Sequence, residues 1–172
     1  MGHCHQTVFS ELPTFAMPPL LKTAPRNTPS VARVDTSYLE TLLGYNARRV
    51  SLKVIELFSI RMAAYGLSPV DFSVLSLIMH NPGITSRLLC STLSLLPPNL
   101  VGKIRLMEKR DLLTRKPHPD DGRAIGLHLT TAGSRMMLNA ENTASQLEAD
   151  VSSKLTAAEA KTLLRLLQKV YL

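Results

Sequence analysis

Between Pro97 and Gly133 the apolar positions follow a helical spacing and then a strand-like one. Leu100, Ile104 and Met107 recur at i, i+4 and i+7, the mark of one buried stripe on a helix. Pro98 suits the first turn of that helix, where its missing N–H is not needed. Asn99, Gly102, Arg105, Leu106 and Lys109 fall near the opposite side, giving an outward face that is polar, basic and bare at the glycine. Two short runs follow at residues 112–117 and 124–129. The connection between them, His-Pro-Asp-Asp-Gly-Arg, is turn chemistry, so the pair reads as a β-hairpin.

Helical periodicity fills most of the remaining chain. Residues 36–65 read as one long amphipathic helix carrying Leu39, Leu43, Val50, Val54, Leu57 and Phe58 and closing near Gly66. Ser68-Pro69-Val70-Asp71 supplies an N-cap, a first-turn proline and an acid at the third position, and starts a second helix. That helix carries Phe72, Leu75, Leu77, Ile78 and Met79 and stops at Asn81-Pro82-Gly83, before a short helix over 86–93. Residues 134–153 return to helix with Met136, Met137, Leu138, Leu147 and Val151. Thr156 and Glu159 then form a capping box that opens a last helix with Leu163, Leu164, Leu166, Leu167 and Val170. The predicted fold is mainly α with a small β-hairpin wing: a winged helix-turn-helix between N- and C-terminal dimerisation helices.

Four segments follow from this pattern. Residues 1–35 hold five of the eleven prolines without sustained periodicity and read as an extended or flexible arm. Its apolar residues Phe9, Leu12, Phe15, Leu20 and Leu21 suit docking on the domain or on a second subunit, whereas His3-Cys4-His5 is too short a cluster for a structural metal site. Residues 36–66 form the N-terminal dimerisation helix, 67–133 the winged lobe and 134–172 the C-terminal dimerisation helices.

Charge narrows the partner. Residues 97–135 contain eight Lys/Arg and four Asp/Glu, so they carry +4 of the chain's formal +7. Residues 136–172 balance four basic against four acidic side chains. A basic helix beside a basic-tipped hairpin suggests a helix in a DNA major groove and a wing against phosphates or the minor groove. Lys103, Lys109, Arg110, Arg115 and Lys116 are then phosphate contacts or solvated charge. Asn99 can read adenine, Arg105 guanine or phosphate, and Leu106 a thymine methyl or a packing neighbour. Arg123 at the hairpin tip suits a narrow minor groove, the plainer alternative being a surface arginine paired with Asp121.

The stretch Met107-Glu108-Lys109, followed by Asp121-Gly122-Arg123 and then Leu129-Thr130-Thr131-Ala132-Gly133, resembles the wing signature of the MarR family of transcriptional regulators. The resemblance extends over about 36–172. It departs at Asp111, where the family usually has a glycine ending the recognition helix, which predicts a less sharply ended helix here. Val101 and Gly102 also replace residues that are often polar or basic. The resemblance implies a two-fold homodimer whose interlocked terminal helices present two recognition helices to a double-stranded operator, with Pro98, Asn99, Gly102, Lys103, Arg105, Leu106, Lys109, Arg115 and Arg123 toward DNA. It further implies a repressor released by a small effector, an aromatic acid or its CoA thioester. Tyr45, Arg48, Arg49 and Ser51 on the first helix, with Asp71 and His80 on the second, are the candidate ligand-binding residues. Each has a plainer alternative as an interhelical or surface group.

Other classes fit less well. Cys4 and Cys90 are the only cysteines, which makes a disulfide framework unsuitable. A redox-responsive regulator acting through Cys90 is one alternative, against a buried structural thiol. A helical adaptor that does not bind DNA is another, but it has no need of concentrated positive charge. No P-loop, HExxH or GxSxG motif occurs, and no enzymatic activity, cofactor or metal is expected. No apolar run approaches a membrane span and no signal segment is visible, so a cytoplasmic protein with no membrane partner is expected.

Overall fold

The computed structural model describes residues 33–118 and 121–172, with backbone alone for 118 and 121–123. The expectations for the arm, including His3, Cys4 and His5, therefore lie outside the described residues up to residue 32. So does the side chain of Arg123. Residues 37–172 form one compact unit.

The order of elements is α1 (Ser37–Glu40), α2 (Leu43–Arg61), a 3₁₀ turn (Ala63–Tyr65), α3 (Pro69–His80), β1 (Ile84–Thr85), α4 (Ser86–Leu93), α5 (Pro97–Lys109), β2 (Leu113–His118), β3 (Asp121–Leu129), α6 (Thr131–Val151) and α7 (Ala157–Tyr171). The three strands form an antiparallel sheet in the order β1-β3-β2. This is the winged helix-turn-helix expected from the hydrophobic pattern. Both capping boxes form as read: Ser68 with Asp71 at the start of α3, and Thr156 with Glu159 at the start of α7.

Four local expectations are corrected. The first helix is broken at Thr41–Leu42, where Leu42 is extended. Asn46 Nδ2 donates to the carbonyls of Glu40 and Leu42, both at 2.8 Å, so side-chain amide chemistry replaces a turn of helix. The hairpin has a third partner, β1, which pairs Ile84 with Leu127 and Thr85 with Gly126. Gly126 is the trace of that strand: a Cβ there would lie 2.8 Å from the Gly83 carbonyl oxygen. The second strand of the hairpin also begins earlier than expected, at Asp121, opposite His118.

The fourth correction concerns Asp111. Its φ of 54° is left-handed, the conformation a glycine supplies without strain. Asp111 N donates to Glu108 O at 3.0 Å and Leu112 N to Met107 O at 3.0 Å. That pair of bonds is a Schellman closure, with buried Met107 and Leu112 as its apolar contact. The recognition helix ends sharply despite lacking the glycine.

The core gathers Met62 from the end of α2, Val74, Leu75 and Ile78 from α3, Leu89 from α4, Leu100, Ile104 and Met107 from α5, Leu127 from β3, and Met137 and Leu147 from α6. Phe58 and Phe72 meet edge to face at 5.5 Å, joining α2 to α3. The ends of the chain differ from this centre. Leu39, Leu43 and Val50 are exposed, and α7 buries none of its residues. No helix among the described residues is long and apolar enough to cross a membrane.

Candidate nucleic-acid interface

Helix α5 is placed by its buried stripe. Leu100, Ile104 and Met107 turn inward, and at 100° per residue this leaves Pro98, Gly102, Arg105 and Lys109 along the middle of the outer face, flanked by Val101, Leu106 and Asn99. All seven are exposed. Nothing lies within 4 Å of a Cβ built on Gly102, so a flat surface can approach the backbone there. Arg105 and Lys109 form no ion pair among the described residues. Arg105 is nonetheless close enough to Glu108 to help lower its pKa.

Three other basic residues of the helix-wing region, Lys103, Arg115 and Arg110, have internal partners. Lys103 Nζ donates to Asp71 Oδ1 at 2.8 Å, a half-buried tie between α5 and the first turn of α3. Burial works to raise the Asp71 pKa, but hydrogen bonds from Lys103 and Ser68 outweigh it and hold the carboxyl below its ordinary value. Arg115 on β2 grips Glu108 with two bonds, Nε to Oε1 at 2.7 Å and Nη2 to Oε2 at 3.1 Å. The Arg115 hydrogen bond is the main cause of the lowered Glu108 pKa, and Glu108 in turn raises that of Arg115. This fork ties the first strand of the wing to the last turn of α5. Arg110 donates from Nη1 to Gly66 O at 2.9 Å and from Nη2 to Tyr65 O at 2.6 Å. Sequence spacing carries no signal for this last contact, which spans more than forty residues.

The root of the wing is locked by a second set of contacts. Thr130 Oγ1 accepts from Gly133 N at 2.9 Å as the N-cap of α6 and donates to Asp111 O at 2.6 Å. One hydroxyl thereby joins the end of the recognition helix to the start of the next long helix.

The candidate ligand residues do not converge. Tyr45 is half-buried, while Arg48, Arg49 and Ser51 are exposed on α2. Asp71 and His80 are nine residues apart on α3, about 13 Å along the axis and on opposite faces. Asp71 is occupied by Ser68 and Lys103. His80 Nε2 lies 3.0 Å from Glu141 Oε1, which also accepts from Ser76 Oγ at 2.7 Å. Cys90 is a free, half-buried thiol on α4, packed against the core.

Comparison with known proteins gives one answer. A sequence model of the MarR family matches residues 65–124, from the end of the 3₁₀ turn into the second strand of the wing. A putative transcriptional regulatory protein for the hcr operon of Thauera aromatica is 27% identical over 130 residues, which cover 75% of this chain and 78% of the relative. The transcriptional repressor CouR bound to a 23-mer DNA duplex superposes with a TM-score of 0.75 at 32% identity, over 81% of this chain and 99% of CouR. CouR bound to p-coumaroyl-CoA gives 0.69 at 32% identity, over 80% and 97% of the two chains. With this identity running over nearly the whole of CouR, and with the family model matched over 65–124, the chain belongs to the MarR family, whose members are transcriptional regulators and not enzymes.

Proposed function

We propose that the protein is a homodimeric transcriptional repressor that binds a double-stranded operator and leaves it when a small anionic effector binds. The observation that carries the DNA reading is the outer arc of α5. Arg105 and Lys109 stand there without ion-pair partners among the described residues, around a glycine that leaves the backbone accessible, while Lys103 and Arg110 are tied inward. Arg105 is assigned to a base or phosphate, Asn99 to a base edge, and Lys109 to phosphate. Pro98 shapes the entry turn and Leu106 offers an apolar contact to a thymine methyl. Arg115 and Lys103 brace the wing and helix, and Arg123 is assigned to the minor groove.

The segment boundaries keep their roles in this proposal. Residues 67–133 form the DNA-binding lobe, and 36–66 with 134–172 form the dimer helices. Exposed Leu163, Leu164, Leu166 and Val170 on α7 supply an apolar face that a second copy would cover.

The effector is proposed to be an aromatic acid or its CoA thioester. CouR, similar over most of this chain, has been solved with p-coumaroyl-CoA. Arg48 and Arg49, exposed and without ion-pair partners among the described residues, are suited to carboxylate or phosphate groups.

The test is an anisotropy titration of the full chain against duplexes from its own upstream region, at 50 and 200 mM salt, with and without p-coumarate and p-coumaroyl-CoA. Specific binding that weakens roughly a thousandfold between those salts, as six neutralised phosphates would give, supports the DNA reading. Release by either compound supports the effector class. Binding equal to that of random duplex would overturn the operator reading, and binding unchanged by both compounds would overturn the effector.

A further inference from the structure

The recognition helix ends on a residue that turns away from its outer face. Arg110 is the C-cap of α5, and its guanidinium bridges the carbonyls of Tyr65 and Gly66. Those carbonyls close the 3₁₀ turn after α2, where a helix end leaves oxygens without intrahelical donors and the backbone dipole is negative. Gly66 takes a left-handed φ of 58°, and a Cβ there would sit 3.4 Å from Arg110 Nη2, so the guanidinium lies across the glycine. The last residue of one helix thus caps the end of another.

A second arm from α5 reaches the same corner. Lys103 precedes Arg110 by seven residues, two turns along the same side, and pairs with Asp71. The corner over 65–71 is held from its other side by α6. Tyr65 Oη is 3.0 Å from Thr143 Oγ1, and Arg61, at the end of α2, is ion-paired with Asp150. Tyr65 therefore joins α6 through its hydroxyl and α5 through its carbonyl.

We propose that Arg110 is a positioning residue that sets the angle of the recognition helix against α2 and α6, and so the half-site spacing that a dimer accepts. This rests on the dimeric DNA-binding reading above and adds to it a specificity determinant that does not touch DNA. Leverage makes the contact consequential. Helix α5 has 13 residues, so it is about 20 Å long, and a tilt of about 10° about its anchored end moves the opposite end about 3.5 Å. That is about the axial rise of one base step.

The experiment starts with the full-length wild-type protein selecting duplexes from a random pool. The selected palindrome is then shortened or lengthened by one base pair at its centre, and an isolated half-site is prepared. Wild type should lose about tenfold or more in affinity for each altered spacing, as mismatched sites do. Arg110→Ala should reduce that discrimination to about threefold or less while binding the half-site as wild type does. Arg110→Lys, which keeps the charge but lacks the planar fork that bridges two carbonyls, should fall between them. It also carries the comparison should Arg110→Ala lose its fold. Undiminished spacing discrimination in the variants overturns the proposal, as does an equal loss on every duplex including the half-site. Selection of no sequence by the wild type overturns the DNA-binding reading itself, and the role of Arg110 with it.

Discussion

A Cβ on Gly133 would lie 1.9 Å from the carbonyl oxygen of Leu112. The backbones of α6 and of the wing's first residues touch there with no room for a side chain. Gly133→Ala must push the two apart in a buried place, and we expect a loss of about 3 kcal/mol, the upper range for overpacking. Urea denaturation read by helical circular dichroism measures it. A loss below about 0.5 kcal/mol would mean the two backbones separate freely.

Thr130 carries two bonds at the same junction. Thr130→Val keeps the shape and removes both. The loss of an N-cap alone costs about 1 kcal/mol, so about 1–2 kcal/mol is expected from the same denaturation experiment.

Asp111 gives a prediction of opposite sign. An L-residue in the left-handed region is strained by roughly 1–2 kcal/mol, less for Asp than for most. Glycine relieves that strain but adds unfolded-chain entropy worth a smaller amount, about 0.5–1 kcal/mol. Asp111→Gly should therefore stabilise by about 0.5 kcal/mol, and Asp111→Val, β-branched in the same conformation, should destabilise clearly. Equal midpoints for the two variants in urea would contradict the helix ending described above.

Acid should loosen the tie between α3 and α5. The Asp71 carboxyl has its pKa lowered on folding, despite burial, by Lys103 and Ser68. Its contribution is therefore complete above the ordinary carboxylate value of about 4 and is lost as pH falls through the lower folded value. Glu108, lowered mainly by Arg115, adds in the same direction. Thermal melts from pH 6 to pH 3 should show a steeper fall for wild type than for Asp71→Asn below about pH 4. Parallel curves would remove Asp71 from the acid response.

On DNA, Lys109→Ala should weaken binding evenly across sequences and reduce the salt slope by about one. Arg105→Ala should do the same if it meets phosphate. If it reads a base, it should instead cost about 1–3 kcal/mol at one position of the site. A panel of single-base variants titrated at two salt concentrations separates these outcomes.

Much of this architecture is legible in the sequence because periodicity and capping are local. Leu100, Ile104 and Met107 disclose the inner face of α5, and Ser68 with Asp71 discloses the start of α3. The breaks come where a short-range competitor or a distant partner decides the outcome. Asn46 bends the chain at Thr41–Leu42 through two side-chain bonds that no apolar spacing reports. The strand β1 has only two residues, too few for alternation, and Gly126 is its one sequence trace. Arg110, Arg115 and Lys103 look alike as basic residues beside a wing, yet the structure commits all three to internal partners. Charge count predicts the sign of the surface but not which cations remain available on it.

The bare face of α7 has a consequence for how this protein holds itself together. A fifteen-residue helix with no buried side chain lies near the length at which an isolated helix is marginal in water. Its capping box steadies the first turn but supplies no apolar contact. Once that face is covered by a second copy, unfolding and dissociation become one equilibrium. The melting temperature then rises with protein concentration, and dilution alone is enough to unwind the end of the chain.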